Sequence, residues 1–139
     1  MEDKDKIKVI VADDNLVFLE GLNLLFSKRD EFKILDTCAN GKELINNKHI
    51  GRADLLLIDI EMPEMNGFEA AKYINHHYSK LPMIAITMYM DTVYMNDIMG
   101  SGFKAFIHKP EVSEKLFDTI ASVLNNKRVF PKNIKLSKN

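Results

Sequence analysis

Apolar residues occur along this chain in short runs separated by polar turns, and the runs alternate between strand-like and helix-like spacing. Residues 7–12 carry Ile7, Val9, Ile10 and Val11 and predict a first strand, closed by the turn-and-cap cluster Asp13, Asp14 and Asn15. Phe18, Leu22, Leu25 and Phe26 then recur at helical spacing, with Lys28 and Arg29 suited to a helix C-terminus. Residues 32–39 alternate loosely as a second strand. Asn40 and Gly41 break it, and residues 42–48 predict a short helix. Residues 55–60 are strongly apolar: Leu55, Leu56, Leu57 and Ile58 run straight into Asp59, which fits a strand buried on both faces. Phe68, Ala71, Ile74 and Tyr78 mark a third helix over 67–78, which Pro82 stops. Residues 83–87 predict a fourth strand. Residues 91–99 predict a weaker helix through Tyr94, Met95, Ile98 and Met99, ended by Gly100 and Gly102. Residues 103–107 form a fifth strand that His108, Lys109 and Pro110 end. Val112, Leu116, Ile120 and Leu124 mark the last helix.

Strand and helix thus alternate five times. That pattern predicts an α/β domain: a parallel sheet with helices on both faces, joined by right-handed crossovers. In open sheets of this type ligands bind beyond the carboxyl ends of the strands. The polar residues that fall there are Asp13 and Asp14 after the first strand, Asp59 after the third, Thr87 after the fourth and Lys109 after the fifth. Each has a plainer reading alone. Asp13, Asp14 and Asn15 can cap a helix, Asp59 can cap a turn, Thr87 is a common strand residue, and Lys109 can be a solvated charge. Their joint placement on one edge is harder to obtain by accident.

Composition narrows the classes. At 139 residues, 46% hydrophobic and 28% charged, the chain suits one soluble globular domain. No apolar run approaches the ~20 residues of a membrane span, and Met1 to Lys6 lacks the apolar region of a signal peptide, so no membrane partner is expected. The single cysteine, Cys38, rules out an intrachain disulfide framework and fits a reducing cytoplasm, with a buried, inert thiol the plainer reading. The net charge of −1 conceals a balance of −6 over residues 1–70 and +5 over 71–139. The basic excess includes Lys127, Arg128, Lys132, Lys135 and Lys138 near the end. No basic stripe follows a predicted helix, which argues against direct nucleic-acid binding.

Charge also shapes the strand-end set. Two carboxylates ~4 Å apart repel by about 4 kcal/mol at an effective dielectric near 20. Lys109 offers one positive charge against three carboxylates, so a divalent cation completes the balance. An all-oxygen site with open water positions suits Mg²⁺. Of the four histidines, His76 and His77 are neighbours on the third predicted helix while His49 and His108 lie on other segments, so they offer no zinc cluster. Mg²⁺, a carboxylate, a hydroxyl and an ammonium make a phosphoryl-transfer kit: the carboxylate attacks a phosphoryl group, while metal, lysine and threonine hold the transferred oxygens.

At this point the chain resembles a known family. Asp13 and Asp14, Asp59 followed by Met62, Pro63 and Gly67, then Thr87, Lys109 and Pro110 look like the motif set of the receiver domains of bacterial two-component response regulators. The resemblance covers residues 6–126 and leaves 127–139 as a linker-like basic tail. It implies a flavodoxin-like, doubly wound (βα)5 fold with five parallel strands in the order 2-1-3-4-5. It implies Asp59 as phosphoacceptor, charged from a phosphohistidine on a sensor histidine kinase. Asp14 and Asp59 would ligate Mg²⁺ directly, Asp13 through water and Glu61 through its backbone carbonyl. Thr87 and Lys109 would bind the phosphoryl group, and the Lys109–Pro110 peptide would be cis.

The resemblance also implies a switch. Thr87 would be drawn toward the phosphoryl group, with Phe106 as the aromatic switch residue. Phenylalanine keeps the packing of the family's frequent tyrosine but excludes a hydroxyl relay. For Phe106 an ordinary core role stands beside the switch role. The surface that changes would be the fourth helix, fifth strand and fifth helix. Met90, Met95 and Met99 there suit repacking or partner binding, or, more plainly, a core stripe. Glu61 and Tyr89 lie two residues beyond Asp59 and Thr87, at positions that border the path of the hydrolytic water in the family. Tyr89 is expected to shield the acyl phosphate.

Competing classes fit less well. A phosphatase of the haloacid-dehalogenase type wants a second aspartate where Glu61 stands, and the chain is short for a capping domain. A nucleotide-binding module wants a glycine-rich loop after the first strand. A degenerate receiver would have lost part of the constellation. The expectation is a signalling switch rather than a metabolic enzyme, with a homodimer on phosphorylation. DNA would be contacted only through a C-terminal helix-turn-helix output domain absent from this chain, a stand-alone receiver being the alternative.

Overall fold

In the computed structural model, which describes residues 2–131, the apolar runs become the strands β1 (Ile7–Ala12), β2 (Phe32–Cys38), β3 (Leu55–Asp59), β4 (Met83–Thr87) and β5 (Ala105–His108). They form one sheet in the order β2-β1-β3-β4-β5, all neighbours parallel. The helices are α1 (Leu16–Ser27), α2 (Gly41–Ile45), α3 (Gly67–His77), α4 (Thr92–Gly100) and α5 (Val112–Leu124). This is the expected flavodoxin-like (βα)5 arrangement.

Side chains alternate across a strand, so each central strand feeds two cores. Ile10, Leu56, Ile58, Ala85 and Phe106 face α2, α3 and α4, meeting Leu44, Ala71, Ile74, Met95 and Ile98. Val9, Val11, Leu55, Leu57, Ile84 and Ile107 face α1 and α5, meeting Leu22, Phe26, Leu116 and Ile120. The run Leu55 to Ile58 is fully buried because both faces of β3 are covered. Cys38 is buried as expected, and burial pushes its thiol up to about 11, which keeps it inert. Met95 belongs to the core, whereas Met90 is exposed, so only part of the methionine stripe is packing.

Several boundaries differ from the sequence expectation. α2 stops at Ile45 because Asn46 turns its side-chain amide back onto the Lys42 carbonyl, 3.0 Å away, and Asn47 accepts from the His49 N–H. β5 begins at Ala105 rather than Phe103 and runs through His108. The Lys109–Pro110 peptide is trans, not cis as the resemblance implied. Trans is the intrinsically favoured isomer. Pro110 lies in the single turn of 3-10 helix Lys109–Glu111, where its missing N–H removes no bond.

The chain leaves α5 through a Schellman turn. Asn126 adopts a left-handed φ of 62°, its N–H reaching Val123 O and that of Lys127 reaching Ser122 O. Val129 then pairs in parallel with Ala105: its N–H donates to Lys104 O at 3.0 Å, and its carbonyl accepts from Phe106 N–H at 3.1 Å. Thus the first residues of the stretch expected as a tail lie along the open edge of β5. The rest, 132–139, falls outside the described residues. Among the described residues no helix is long and apolar enough to cross a membrane.

Candidate functional site

The site is built at the carboxyl ends of β1, β3, β4 and β5. Asp13 follows β1 directly, its N–H held by the Cys38 carbonyl at 2.9 Å. Its Oδ1 accepts from the Asn15 N–H at 2.8 Å, and Asn15 in turn caps α1 by accepting from the Phe18 N–H. So the two plainer roles foreseen for this cluster, turn and cap, are filled by one face of Asp13 and by Asn15. Asp13 Oδ2 is buried and lies 2.8 Å from Lys109 Nζ as an ion pair.

Asp59 ends β3 and is 5% exposed. The loop behind it is shaped by Gly67, whose N–H donates to Ile60 O at 2.8 Å. A Cβ at Gly67 would run into the Asp59 carbonyl oxygen and sit 2.8 Å from the Ile60 Cα, so only glycine lets α3 start here. Asn66 and Glu69 close a capping box at that start.

Lys109 follows β5 and points its ammonium inward, 3.5 Å from Asp59 Oδ2 as well as 2.8 Å from Asp13. The same ammonium stands 4.5 Å above the Phe18 ring of α1, a cation–π contact that fixes its position. Thr87 is buried at the end of β4, with its Oγ1 accepting from the Tyr89 N–H at 3.1 Å. Register carries it to the same edge: Thr87 is opposite His108, and Ile86 opposite Asp59.

Asp13, Asp14 and Asp59 each offer a carboxylate oxygen within 4.8 Å of the others, Asp14 on the exposed side. Burial, and next the charge of Asp13, push the Asp59 carboxyl up to about 7, against the pull of Lys109 and a hydrogen bond from the Glu61 backbone N–H. One ammonium therefore does not neutralise the cluster. The residues fit a small hard cation: the donors are all oxygen, three carboxylates converge against one ammonium, and one ligand opens to solvent where waters can complete a shell.

The fold thus brings Asp13, Asp14, Asp59 and Lys109 into one cluster, with Thr87 on the same edge. Phe106 is not at the cluster; it lies inside the sheet core, 6% exposed. Glu61 turns its side chain outward, where its Oε1 accepts from the Tyr94 hydroxyl at 2.6 Å, and that bond pushes the Tyr94 hydroxyl up to about 12. In the sequence Phe18 and Tyr94 show only as helix-face residues. Neither contact leaves a signal in sequence spacing.

Comparison with known proteins bears on the family and the fold. Residues 9–121 match the family model described as response regulator receiver domain. The transcriptional regulatory protein YdfI of Bacillus subtilis is 35% identical over 117 residues, which are 84% of this chain and 54% of that protein. The protein-glutamate methylesterase/protein-glutamine glutaminase of Clostridium acetobutylicum is 31% identical over 109 residues, 77% of this chain and 32% of that one. The chain spans about half the length of the transcriptional regulators it matches. Among solved structures, a LuxR-family two-component response regulator from Aurantimonas superposes with a TM-score of 0.85 at 19% identity, covering 93% of this chain and 92% of that one. The non-phosphorylated receiver domain of RcsB from Escherichia coli does so at 0.82 and 22%, covering 91% and 99%. At these identities the structures speak to the fold alone.

Proposed function

Because this chain belongs to the response regulator receiver family, we propose that it is a phosphorylation-activated switch with Asp59 as phosphoacceptor. The observation that carries the reading is the joining of Asp59 to Asp13, Asp14 and Lys109 in one buried-edged cluster. An Asp59 carboxylate oxygen attacks the phosphorus of a phosphohistidine on a sensor kinase. The P–N bond breaks, the imidazole leaves, and an acyl phosphate remains on Asp59. Lys109 holds a transferred oxygen by charge, and Thr87 by a hydroxyl hydrogen bond. Asp14 and Asp59, Asp13 through water, and the Glu61 backbone carbonyl would hold Mg²⁺. That ion supplies charge neutralisation for the acids and the phosphoryl oxygens.

The new group adds about −1.5 to −2 charges. In this proposal it draws Thr87 inward and lets Phe106 shift, remodelling the surface of α4, β5 and α5. Phe106, Met90 and His108 line a groove of about 570 Å³ against Val129 and Phe130, and that groove supports this surface as the one remodelled. A homodimer formed on phosphorylation and a cytoplasmic setting belong to the same proposal. So does the division into a receiver over 6–126 and a connecting segment over 127–139. The output proposed is transcription, through a DNA-binding domain outside this chain. That is supported by the names of the regulators it matches and by its covering about half of their length.

Phosphoryl uptake from a small phosphodonor tests the reading. Uptake is expected to require Mg²⁺ and to fall at least tenfold in Lys109→Ala, the order of one positioned charge in a transition state. Uptake that survives both chelation and the substitution contradicts it.

A further inference from the structure

The loops after β3 and β4 are tied to each other at the mouth of the site by side chains that the transfer chemistry does not use. The Glu61 backbone N–H bonds the Asp59 carboxylate, and the Glu61 carboxylate accepts from the Tyr94 hydroxyl at 2.6 Å. The Tyr94 ring is stacked on the Tyr89 ring, 5.4 Å between centroids and 17° apart, and the Tyr89 N–H donates to Thr87 Oγ1. The chain of contacts therefore starts at the phosphoacceptor and ends at the phosphoryl-binding threonine, with Tyr94 of α4 at its middle. Phe68 of α3 backs Tyr94 from another side, centroid to centroid 5.8 Å. A cleft of about 430 Å³ lined by Asp14, Glu61, Phe68 and Tyr94 opens beside the acids, so what occupies this wall borders solvent access to Asp59.

We propose that Tyr94 is a positioning residue that sets the lifetime of the phosphorylated state, by holding the Glu61 carboxylate and the Tyr89 ring in place at the mouth of the site. The inference rests on the phosphoacceptor reading of Asp59. Loss of the phosphoryl group is hydrolysis: a water oxygen attacks phosphorus, the bond between phosphorus and the Asp59 oxygen breaks, and the carboxylate is restored. The water's protons leave with inorganic phosphate or pass to solvent. Two things slow this step while the tether holds. The aromatic pair narrows the approach, and the Glu61 carboxylate, tied through Oε1 to the Tyr94 hydroxyl, is held from swinging toward an incoming water to orient or deprotonate it. Removing only the hydroxyl releases the carboxylate and loosens Tyr94 against Tyr89, so hydrolysis accelerates.

The test is a double-mutant cycle on the full chain with four proteins: unsubstituted, Tyr94→Phe, Glu61→Ala and the double variant. Each is loaded with a small phosphodonor and Mg²⁺, the donor is removed, and the phosphorylated fraction is followed by intact mass. Tyr94→Phe is expected to shorten the phosphoryl lifetime about fivefold, the order of one net hydrogen bond. In the Glu61→Ala background the same substitution is expected to have no effect, because its partner is gone. A purely structural role for Tyr94 would give equal effects in both backgrounds, and that result overturns the inference. So does an unchanged or longer lifetime in Tyr94→Phe. Failure of the unsubstituted chain to take up phosphoryl at all sinks the phosphoacceptor reading itself, and the inference falls with it.

Discussion

At the residue scale, a few side chains are available for chemistry because neighbours take over their structural roles. Asp13 splits its two oxygens between a turn and an ion pair, and Asn15 takes over the capping of α1. Asp13, Asp14, Asp59 and Lys109 were legible in the sequence because apolar runs mark strand ends, and strand ends in a parallel sheet share one edge. Phe18 and Tyr94 were not legible. Tyr94 meets Glu61 across 33 residues and Lys109 meets Phe18 from α1, contacts that only tertiary packing creates. Tyr89 sits between the two kinds: its offset from Thr87 flagged it, but its ring partner is visible only in the fold. Tyr89 is 47% exposed and its ring stacks on Tyr94. Tyr89→Ala is therefore expected to hasten loss of the phosphoryl group severalfold. An unchanged or slower decay, followed by intact mass, would speak against shielding.

At the element scale, strand existence was readable and element ends were not. The buried run of β3 announces itself by composition, whereas α2 ends early through side-chain amides that compete for backbone groups. The segment after α5 is the clearest case. Its basic composition reads as linker, yet Asn126 in the left-handed region turns the backbone so that Val129 pairs with the β5 edge, and Phe130 packs on the core. A single bridge has no periodicity for a sequence to display. Val129→Pro deletes the N–H that donates to Lys104 O. The expected result is a loss of about 1 kcal/mol in unfolding free energy and faster hydrogen exchange at the Phe106 N–H, whose acceptor is the Val129 carbonyl. Unaltered exchange at Phe106 would mean that the bridge does not protect the edge in solution.

At the scale of the whole molecule, the two cores hold the sheet rigid while its carboxyl edge concentrates negative charge. The Asp59 carboxyl, raised to about 7 mainly by burial, gives this a thermodynamic signature. The folded protein keeps a proton there that the unfolded chain releases from about pH 4 upward. The contribution is therefore fully present below the unfolded value and is lost as pH rises through about 7. Without metal, the chain is expected to lose stability relative to Asp59→Asn between about pH 4.5 and 8, and Mg²⁺ is expected to flatten that loss. Denaturant midpoints for both proteins at the two pH values, with and without the ion, check it. A constant difference between them would show that Asp59 carries no proton in the folded state.

The central claim is that Asp59 is the residue modified. Its most direct test is intact mass after incubation with Mg²⁺ and a small phosphodonor, comparing the unsubstituted chain with Asp59→Asn. One phosphoryl increment is expected on the unsubstituted chain and none on Asp59→Asn. No increment on either protein, or the same increment on both, would contradict it.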